Sequence, residues 1–313
     1  NDVHRQFRFH KLYKRCEMGV QVVRVVPLKG TIITLFLVIF LLGTFFRLYQ
    51  LEKESIWVDE AFTDHYVTAS LPELITLLKN DVHPLLFYLV EQLMVKSFGS
   101  SEFTLRFIPF IFGSLSIVVF FFFVRKLYGS SVALLATLFF SFSYTFILYA
   151  QEAKMYSQFI FFFFLVCLFY LRFLQSASLS DALWLAVFNA LLVHTHILSF
   201  GIVFLEIFFY VVSYRFKKYQ QTDLLQWFFP PITTKHRPSF FVLSFLLVGL
   251  TYLFWLPVFV FQFQRLFLDM LPSKFIEKVG FDGFYQVFGL FMIGILLCCW
   301  FLYLLSGNKT IIE

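Results

Sequence analysis

Two adjacent carboxylates, Asp59 and Glu60, stand in residues 55–62 (SIWVDEAF), just beyond a long apolar run. A carboxylate in such a place can take a proton from a hydroxyl group, which is general base chemistry. Trp57 followed by acids is equally typical of an aromatic belt residue followed by solvated charge at a membrane edge. The meaning of the pair therefore depends on the polar residues that the fold brings near it.

Two further segments place reactive side chains next to apolar runs. Residues 81–89 (DVHPLLFYL) hold His83 before a proline suited to the first turn of a helix, so His83 is also explained as an incidental loop residue. Residues 149–157 (YAQEAKMYS) are harder to explain as a plain turn, which would be richer in Gly, Asn or Ser. The polar side chains of this second segment are Gln151, Glu152, Lys154 and Tyr156.

Three more residues complete the candidates. His194 and His196 interrupt an apolar stretch at a predicted helix corner. A single histidine in such a place is more often structural than a ligand. Two histidines close together make a ligand role less improbable. Arg106 begins an apolar run, and it would either snorkel to the interface or bind a phosphate bidentately. A divalent metal ion could also stabilise a phosphate, with Asp59, Glu152 and His196 as its candidate ligands.

Together these residue types meet one chemical requirement. A carboxylate would accept a hydroxyl proton while nearby cations or a metal ion stabilise a departing lipid phosphate. These are the parts of a glycosyl transfer from a sugar carried on a lipid phosphate. The predicted partners are that donor, a hydroxyl acceptor on protein, lipid or glycan, and membrane lipids.

The composition indicates the elements that must position these residues. Of the 313 residues, 60% are hydrophobic and only 14% are charged, and the mean hydropathy is +0.80. Such values exclude a soluble domain of this size. The net charge of +6 does not indicate nucleic-acid binding, because the basic residues flank apolar runs, where lipid headgroups and topology explain them.

Apolar runs of about 20 residues, enough to cross a hydrocarbon core about 30 Å thick, recur along the chain. They predict an all-α, polytopic transmembrane helical bundle with about eight spans. The predicted spans are 28–49, 105–124, 132–149, 157–174, 182–193, 198–214, 239–261 and 281–305. The whole of 28–305 would form one transmembrane module, and 306–313 would be the truncated end of a longer protein.

Lys and Arg in short loops predict the orientation. The basic segment 1–27 would be cytoplasmic, and the later basic loops fall on that side if eight spans are counted. The acid-rich loop 50–104 and the other candidate site residues would then share the opposite face, whether periplasmic, extracellular or lumenal. Within this loop, residues 85–98 would reach only about 21 Å as a helix and carry three polar side chains, so they predict a juxtamembrane helix and not a span.

Seven segments in this order resemble the C-type superfamily of membrane glycosyltransferases: SIWVDEAF, DVHPLLFYL, SSEFTLRFIP, RKLYG, YAQEAKMYS, HTH and YLFWLPVF. The nearest group is the dolichyl- or polyprenyl-phosphate-mannose mannosyltransferase-like proteins, which are related to protein O-mannosyltransferases and to lipid A aminoarabinose transferases. The resemblance runs from about residue 36 to about residue 264.

This resemblance implies an inverting transferase with a polyprenyl-phosphate-linked donor. It implies Asp59 as the catalytic residue acting on the acceptor hydroxyl and Glu60 as its supporting partner. The expected donor-phosphate and substrate-binding residues are His83, Arg106, Gln151, Glu152, Lys154, Tyr156 and His196. Two positions depart from the family pattern: Leu85 replaces a second proline, and Lys154 replaces an arginine, which keeps the charge but loses the bidentate fork.

Two other readings remain open. A lipid-linked sugar transporter would carry ionisable residues near the midplane of discontinuous helices and a repeated half-structure. Neither feature is visible in the sequence, where the polar residues gather at one predicted surface. A non-catalytic relative serving as an assembly subunit is the third reading, and the intact Asp59 and Glu60 argue against it.

Overall fold

The computed structural model describes residues 30–215 and 237–264. Within these ranges every regular element is an α-helix and no strand occurs, which confirms the all-α class. The helices are α1 Gly30–Leu48, α2 Val58–Thr68, α3 Leu71–Leu78, α4 Leu86–Phe98, α5 Glu102–Tyr128, α6 Ser130–Phe142, α7 Tyr144–Ala150, α8 Tyr156–Ser176, α9 Leu179–Val193, α10 Ser199–Arg215, α11 Pro238–Leu253 and α12 Leu256–Gln264.

Three helices are long and apolar enough to cross a membrane: α1, α5 and α8. They correspond to the first, second and fourth predicted spans. The third predicted span is divided by a 60° bend between α6 and α7, and the seventh by a 79° bend between α11 and α12. If each bent pair is one span, the described residues contain up to five.

The prediction of about eight spans is therefore not confirmed. The fifth and sixth predicted spans form the shorter apolar helices α9 and α10, of 15 and 17 residues. The eighth predicted span and the basic segment 1–27 lie outside the described residues. The orientation of the bundle stays a prediction.

Helix α4 forms where the juxtamembrane helix was predicted; Lys96 is exposed, but two of its polar residues, Glu91 and Gln92, are buried. Glu91 is 0% exposed and Gln92 is 6% exposed. The Gln92 amide donates to the carbonyls of Val67 and Ala69 at the end of α2, at 3.3 and 2.8 Å. These bonds satisfy carbonyl groups that the end of a helix leaves without an intrahelical partner. Helix α4 therefore supports α2, which carries Asp59 and Glu60.

A close approach fixes the end of α7 against α5. A Cβ atom added at Gly113 of α5 would lie 2.5 Å from the Cβ of Ala150, the last residue of α7. Small residues let apolar helices pack at short distance. The packing of Gly113 on Ala150 thus holds the start of the segment 151–155, which carries several candidate site residues.

Candidate active site

Asp59 and Glu60 lie in the first turn of α2. Acids are favoured there because the helix dipole places partial positive charge at the N-terminus. The Glu60 carboxylate accepts a weak 3.4 Å hydrogen bond from the Trp57 backbone N–H, which is half of a capping box. Successive helical residues point about 100° apart, so Glu60 is 1% exposed while Asp59 is only half-buried.

Glu60 is held by two other parts of the chain. The Arg106 side chain of α5 donates to both carboxylate oxygens, Nε to Oε1 at 2.9 Å and Nη2 to Oε2 at 2.6 Å. The backbone N–H of Ala153 also donates to Oε1, at 2.8 Å. We call Glu60, Arg106 and Ala153 the Glu60 clamp. Arg106 is 5% exposed, so the ion pair is buried and its charges are compensated.

The remaining N–H groups of Arg106 tie down the chain before α2. Nη1 donates to the carbonyls of Leu51 and Glu54 at 3.0 and 2.8 Å, and Nη2 donates to that of Ser55 at 3.4 Å. With the two bonds to Glu60, all five guanidinium N–H groups have protein acceptors. Arg106 was predicted to bind the donor phosphate, but in the structure its side chain is part of the Glu60 clamp.

Gln151 also contacts the protein itself. Its amide Nε2 lies 3.1, 3.2 and 2.9 Å from the carbonyl oxygens of Phe46, Arg47 and Tyr49. These carbonyls are at the end of α1, where intrahelical donors run out. The Gln151 side chain, expected near the donor phosphate, therefore caps α1 and joins it to the segment 151–155.

Lys154, unlike Gln151 and Arg106, has a side chain that is not bonded to the described part of the protein. It is 7% exposed, and within the described residues its ammonium group makes no hydrogen bond and no ion pair. Burial lowers its pKa, although the negative charges of Asp59, Asp81, Glu152 and Glu60 act against that shift. Lys154 is thus a cation held near several carboxylates and committed to none of them.

Glu152 and Asp59 are the carboxylates near Lys154 that are not held by hydrogen bonds to the described residues. Burial and the charge of Glu60 raise the pKa of Glu152 above its usual range. Neither side-chain carboxylate accepts a hydrogen bond from any residue that the structure describes. Tyr156 is within electrostatic reach of both acids. Asp59 is accordingly the member of the Asp-Glu pair whose carboxylate has no hydrogen-bond donor among the described residues.

Asp81, which was not among the residues predicted from the sequence, lies beside the predicted residue His83. Its Oδ1 lies 2.8 Å from Nδ1 of His83, and its Oδ2 accepts a 3.3 Å hydrogen bond from the Tyr88 hydroxyl. Burial raises the pKa of Asp81, but the hydrogen bond and charge of His83, the Val82 N–H and the charge of Lys154 together hold the pKa below its usual range. The spacing Asp-Val-His-Pro was a signal, because Asp side chains often bond groups two residues on.

His196 packs against His83 at the corner between α9 and α10. The two rings are 5.6 Å apart and edge to face. Burial, with the nearby charge of His83, lowers the pKa of His196 to about 4. Its Nδ1 accepts a 3.1 Å hydrogen bond from the Leu198 backbone N–H, so the neutral ring carries its proton on Nε2. We call Asp59, Asp81, His83, Lys154 and His196 the polar cluster.

A second missed residue, Gln262 of α12, supports the loop that carries His83. Its amide nitrogen donates to the carbonyls of Leu78 and His83, both at 2.9 Å. Its carbonyl accepts a 3.3 Å bond from the Trp255 indole. Gln262 is 1% exposed, and no sequence signal distinguishes it from other residues near the end of an apolar run.

The residues present do not fit a metal centre built from three protein side chains. Within residues 30–215 and 237–264, no group of three His, Cys, Asp or Glu side chains is arranged to hold a metal ion. Asp59, Glu152 and His196, which the sequence offered as metal ligands, do not form such a group. Lys154 is the uncommitted cation of the polar cluster.

Comparison with known proteins finds one family match. Residues 82–222 match the family model of dolichyl-phosphate-mannose-protein mannosyltransferases. The chain resembles a membrane mannosyltransferase. This confirms the resemblance predicted from the ordered motifs and supports membrane glycosyltransferase chemistry in general. Neither a search of curated proteins nor a search of solved structures gave a match.

Most of the candidate residues of this mannosyltransferase-like chain lie inside the matched stretch. The matched stretch contains His83, Arg106, the segment 151–155 and His196, whereas Asp59 and Glu60 precede it. The contacts of Glu60 with Arg106 and Ala153 connect the two parts physically. The roles of the individual residues are proposals.

Proposed function

We propose that the protein transfers a sugar from a polyprenyl-phosphate-linked donor to a hydroxyl acceptor, with inversion at the anomeric carbon and on the non-cytoplasmic face. The observation that carries this proposal is the division of the Asp-Glu pair. Glu60 is used up in the Glu60 clamp, while Asp59 faces the uncommitted Lys154. A free base beside a free cation is what displacement of a lipid phosphate requires.

In the proposed step the acceptor oxygen attacks the anomeric carbon. The new glycosidic C–O bond forms as the C–O bond to the lipid phosphate breaks, and the electron pair of that bond leaves with the phosphate. The hydroxyl proton passes to the carboxylate of Asp59. The products are the glycosylated acceptor and the polyprenyl phosphate, so atoms and charge balance.

Lys154 would stabilise the departing phosphate as a point charge. Its partial desolvation strengthens that attraction, because a charge pair interacts more strongly where water is scarce. His196, neutral and with its proton on Nε2, would donate a hydrogen bond to the donor. Glu60 and Arg106 would act as positioning residues, since their contacts fix the first turn of α2 and hence Asp59.

The proposal is tested with the full-length protein in liposomes and a panel of radiolabelled polyprenyl-phosphate sugars. Wild type should release sugar from its lipid and Asp59→Asn should not, while both bind donor. The matched control is Asp64→Asn, which changes an acid on the same helix, outside the polar cluster. Movement of the intact lipid-linked sugar to the other leaflet, without release, would replace the enzyme by a transporter.

A further inference from the structure

Outside the polar cluster, helices α9 and α10 bury an acid and an amide. Glu206 of α10 is 6% exposed and Asn189 of α9 is 1% exposed. The two helices fall in the fifth and sixth runs that the sequence predicts to be membrane spans. Ionisable side chains in such helices are costly and usually pair with another polar group. The contacts of Glu206 therefore need a physical account.

The surroundings of this pair are apolar on both helices. Leu185 and Leu192 lie four residues before and three residues after Asn189 on α9. Tyr210 lies four residues after Glu206 on α10. Residues at these spacings share a helix face, and all three belong to one hydrophobic cluster of buried residues. The Glu206 carboxyl group is thus removed from water.

The two polar side chains share one hydrogen bond. The Asn189 amide nitrogen donates to Oε2 of Glu206 at 2.9 Å. The other two oxygen atoms of the pair, Oε1 of Glu206 and Oδ1 of Asn189, are buried and have no donor among the described residues. A buried acceptor without a donor lowers stability. Two of them in one bonded pair indicate that a donor is missing from a count made with an ionised carboxylate.

Within the described part of the chain, no cation compensates a negative charge at this position. Glu206 forms no ion pair with a described Lys, Arg or His side chain. The titratable side chains beside it are Cys167 and Tyr170 of α8 and Tyr210 of α10, and none of them is a cation. Among the described residues, α9 and α11 bring no titratable group into its reach. The Tyr170 hydroxyl donates to the backbone carbonyl of Glu206 and not to its carboxyl group.

We infer that Glu206 and Asn189 form a proton-binding site between α9 and α10. An isolated acid in apolar surroundings is neutral, because an unpaired charge there is far more costly than a bound proton. The protonated Oε1–H of Glu206 donates to Oδ1 of Asn189, while the Asn189 amide donates back to Oε2. One proton thus turns the unpaired Oε1 into a donor and supplies the unpaired Oδ1 with its partner. The two helices are joined by a reciprocal pair of hydrogen bonds.

The oxygen atoms available favour a proton over a metal ion. A hard cation such as Ca²⁺ takes about six to eight oxygen ligands, whereas the pair offers two unpaired oxygen atoms. The site also lies near the corner between α9 and α10, since Asn189 precedes His196 by seven residues, about two helical turns. The bound proton therefore helps to fix the two helices between which His196 lies. The site does not depend on the proposed transfer, because neither of its side chains takes part in that reaction.

The test is an infrared spectrum, which distinguishes a protonated carboxyl group from a carboxylate by its C=O stretch. Full-length protein in nanodiscs is measured at neutral pH, and the spectrum of Glu206→Gln is subtracted from that of wild type. The difference should contain the band of a carboxylic acid, at lower frequency for protein prepared in D₂O. The control is Glu52→Gln, at an exposed glutamate, which should remove carboxylate bands only. Loss of carboxylate bands in Glu206→Gln as well would overturn the inference.

Two further spectra test the partner and the ligand. Asn189→Leu should move the acid band to higher frequency, because the O–H group loses its acceptor; an unchanged frequency would exclude the pairing with Asn189. Sodium chloride added to wild type at constant pH should leave the band in place. Disappearance of the band would show that the site takes a monovalent cation, which contradicts the assignment of a proton.

Thermal unfolding gives a measurement that does not depend on spectra. Glu206→Gln replaces the O–H donor by an N–H donor of similar shape, so it should unfold at or above the temperature of wild type at neutral pH. Unfolding of wild type releases the proton, so its stability should fall as the pH rises, until the folded protein has also lost the proton. Glu206→Gln should show a smaller fall over the same range. A Glu206→Gln protein that unfolds well below wild type would mean that the ionised carboxylate is the native form.

Discussion

Asp59 and Glu60 are neighbours in the chain, but they belong to two regions with opposite hydrogen bonding. In the Glu60 clamp, a buried carboxylate receives three strong hydrogen bonds and a buried guanidinium uses every N–H group. In the polar cluster, the Asp59 carboxylate and the Lys154 ammonium group have no such partners within the described residues.

This difference in hydrogen bonding suggests which residues stabilise the fold and which are available to a substrate. A buried ion pair that is fully hydrogen-bonded has no donor or acceptor left for a substrate, and it is costly to break. An ionised group without a hydrogen-bond partner keeps its hydrogen-bonding capacity for a ligand. We therefore propose that the clamp positions Asp59 and that the polar cluster carries out the transfer.

The largest expected effect comes from breaking the clamp with Arg106→Ala. This change leaves the Glu60 carboxylate buried without its cation, which typically costs about 3–5 kcal/mol. We expect loss of folded protein, measured by thermal unfolding in detergent. Arg172→Ala is the control, because Arg172 also pairs with an acid but its side chain is 50% exposed, and it should cost less than about 1 kcal/mol. Equal losses of stability in the two variants would mean that the Glu60 clamp does not stabilise the fold more than an exposed ion pair does.

A smaller effect, on activity, is expected for Lys154→Met. Charged hydrogen bonds contribute about 1.5–3 kcal/mol, so the KM for the donor should rise roughly 10- to 100-fold. The KM for the acceptor should change little, because the proposed contact of Lys154 is with the phosphate of the donor. Lys154→Arg should keep much of the donor affinity, and Lys96→Met, at an exposed lysine of α4, should have no effect. An equal rise in both KM values would contradict a phosphate contact at Lys154.

Gln151→Ala sharpens the comparison further, because it tests a candidate site residue that the structure places in the scaffold. It removes the amide that caps the end of α1, which should lower the free energy of unfolding by about 1 kcal/mol. Gln175→Ala, at an exposed glutamine of α8, should have no measurable effect. A change in the KM for the donor without any change in stability would favour a contact of Gln151 with the substrate.

The smallest effect on the free energy of unfolding at neutral pH is expected for His196→Gln. The ordinary histidine pKa is 6.5 and that of folded His196 is about 4, so between these values the unfolded chain binds more protons than the folded one. The free energy of unfolding should therefore fall as the pH is lowered from 6.5 to 4. His196→Gln should reduce that slope, whereas His65→Gln, at an exposed histidine, should not. An unchanged slope would mean that His196 is not buried as a neutral ring.

The fold could be predicted where the apolar pattern is interrupted by polar residues. Helices α1, α5 and α8 formed where spans were expected because polar segments bound them on each side. The bend at Ser143 could not be predicted, since no Gly or Pro marks it. The bend before α12 had a signal in Pro257, because the residue before a proline disfavours the helical conformation.

The site was predictable as a set of residues but not as a set of contacts. The Glu60–Arg106 pair joins positions 46 residues apart, so its existence depends on tertiary packing and not on spacing. Without it, Arg106 looks like a phosphate ligand and Glu60 looks like a partner of Asp59. Asp81 was missed because its role depends on the fold of its own loop around His83.

The most direct test of the account compares Asp59→Asn with Glu60→Gln, two isosteric changes at adjacent positions, by thermal unfolding and by sugar transfer in liposomes. Asp59→Asn should leave the free energy of unfolding within about 0.5 kcal/mol of wild type and lower transfer by about 10²- to 10⁴-fold. Glu60→Gln should destabilise the protein by about 3–5 kcal/mol. A stable Glu60→Gln protein that has lost transfer, beside an Asp59→Asn protein that retains it, would contradict the account.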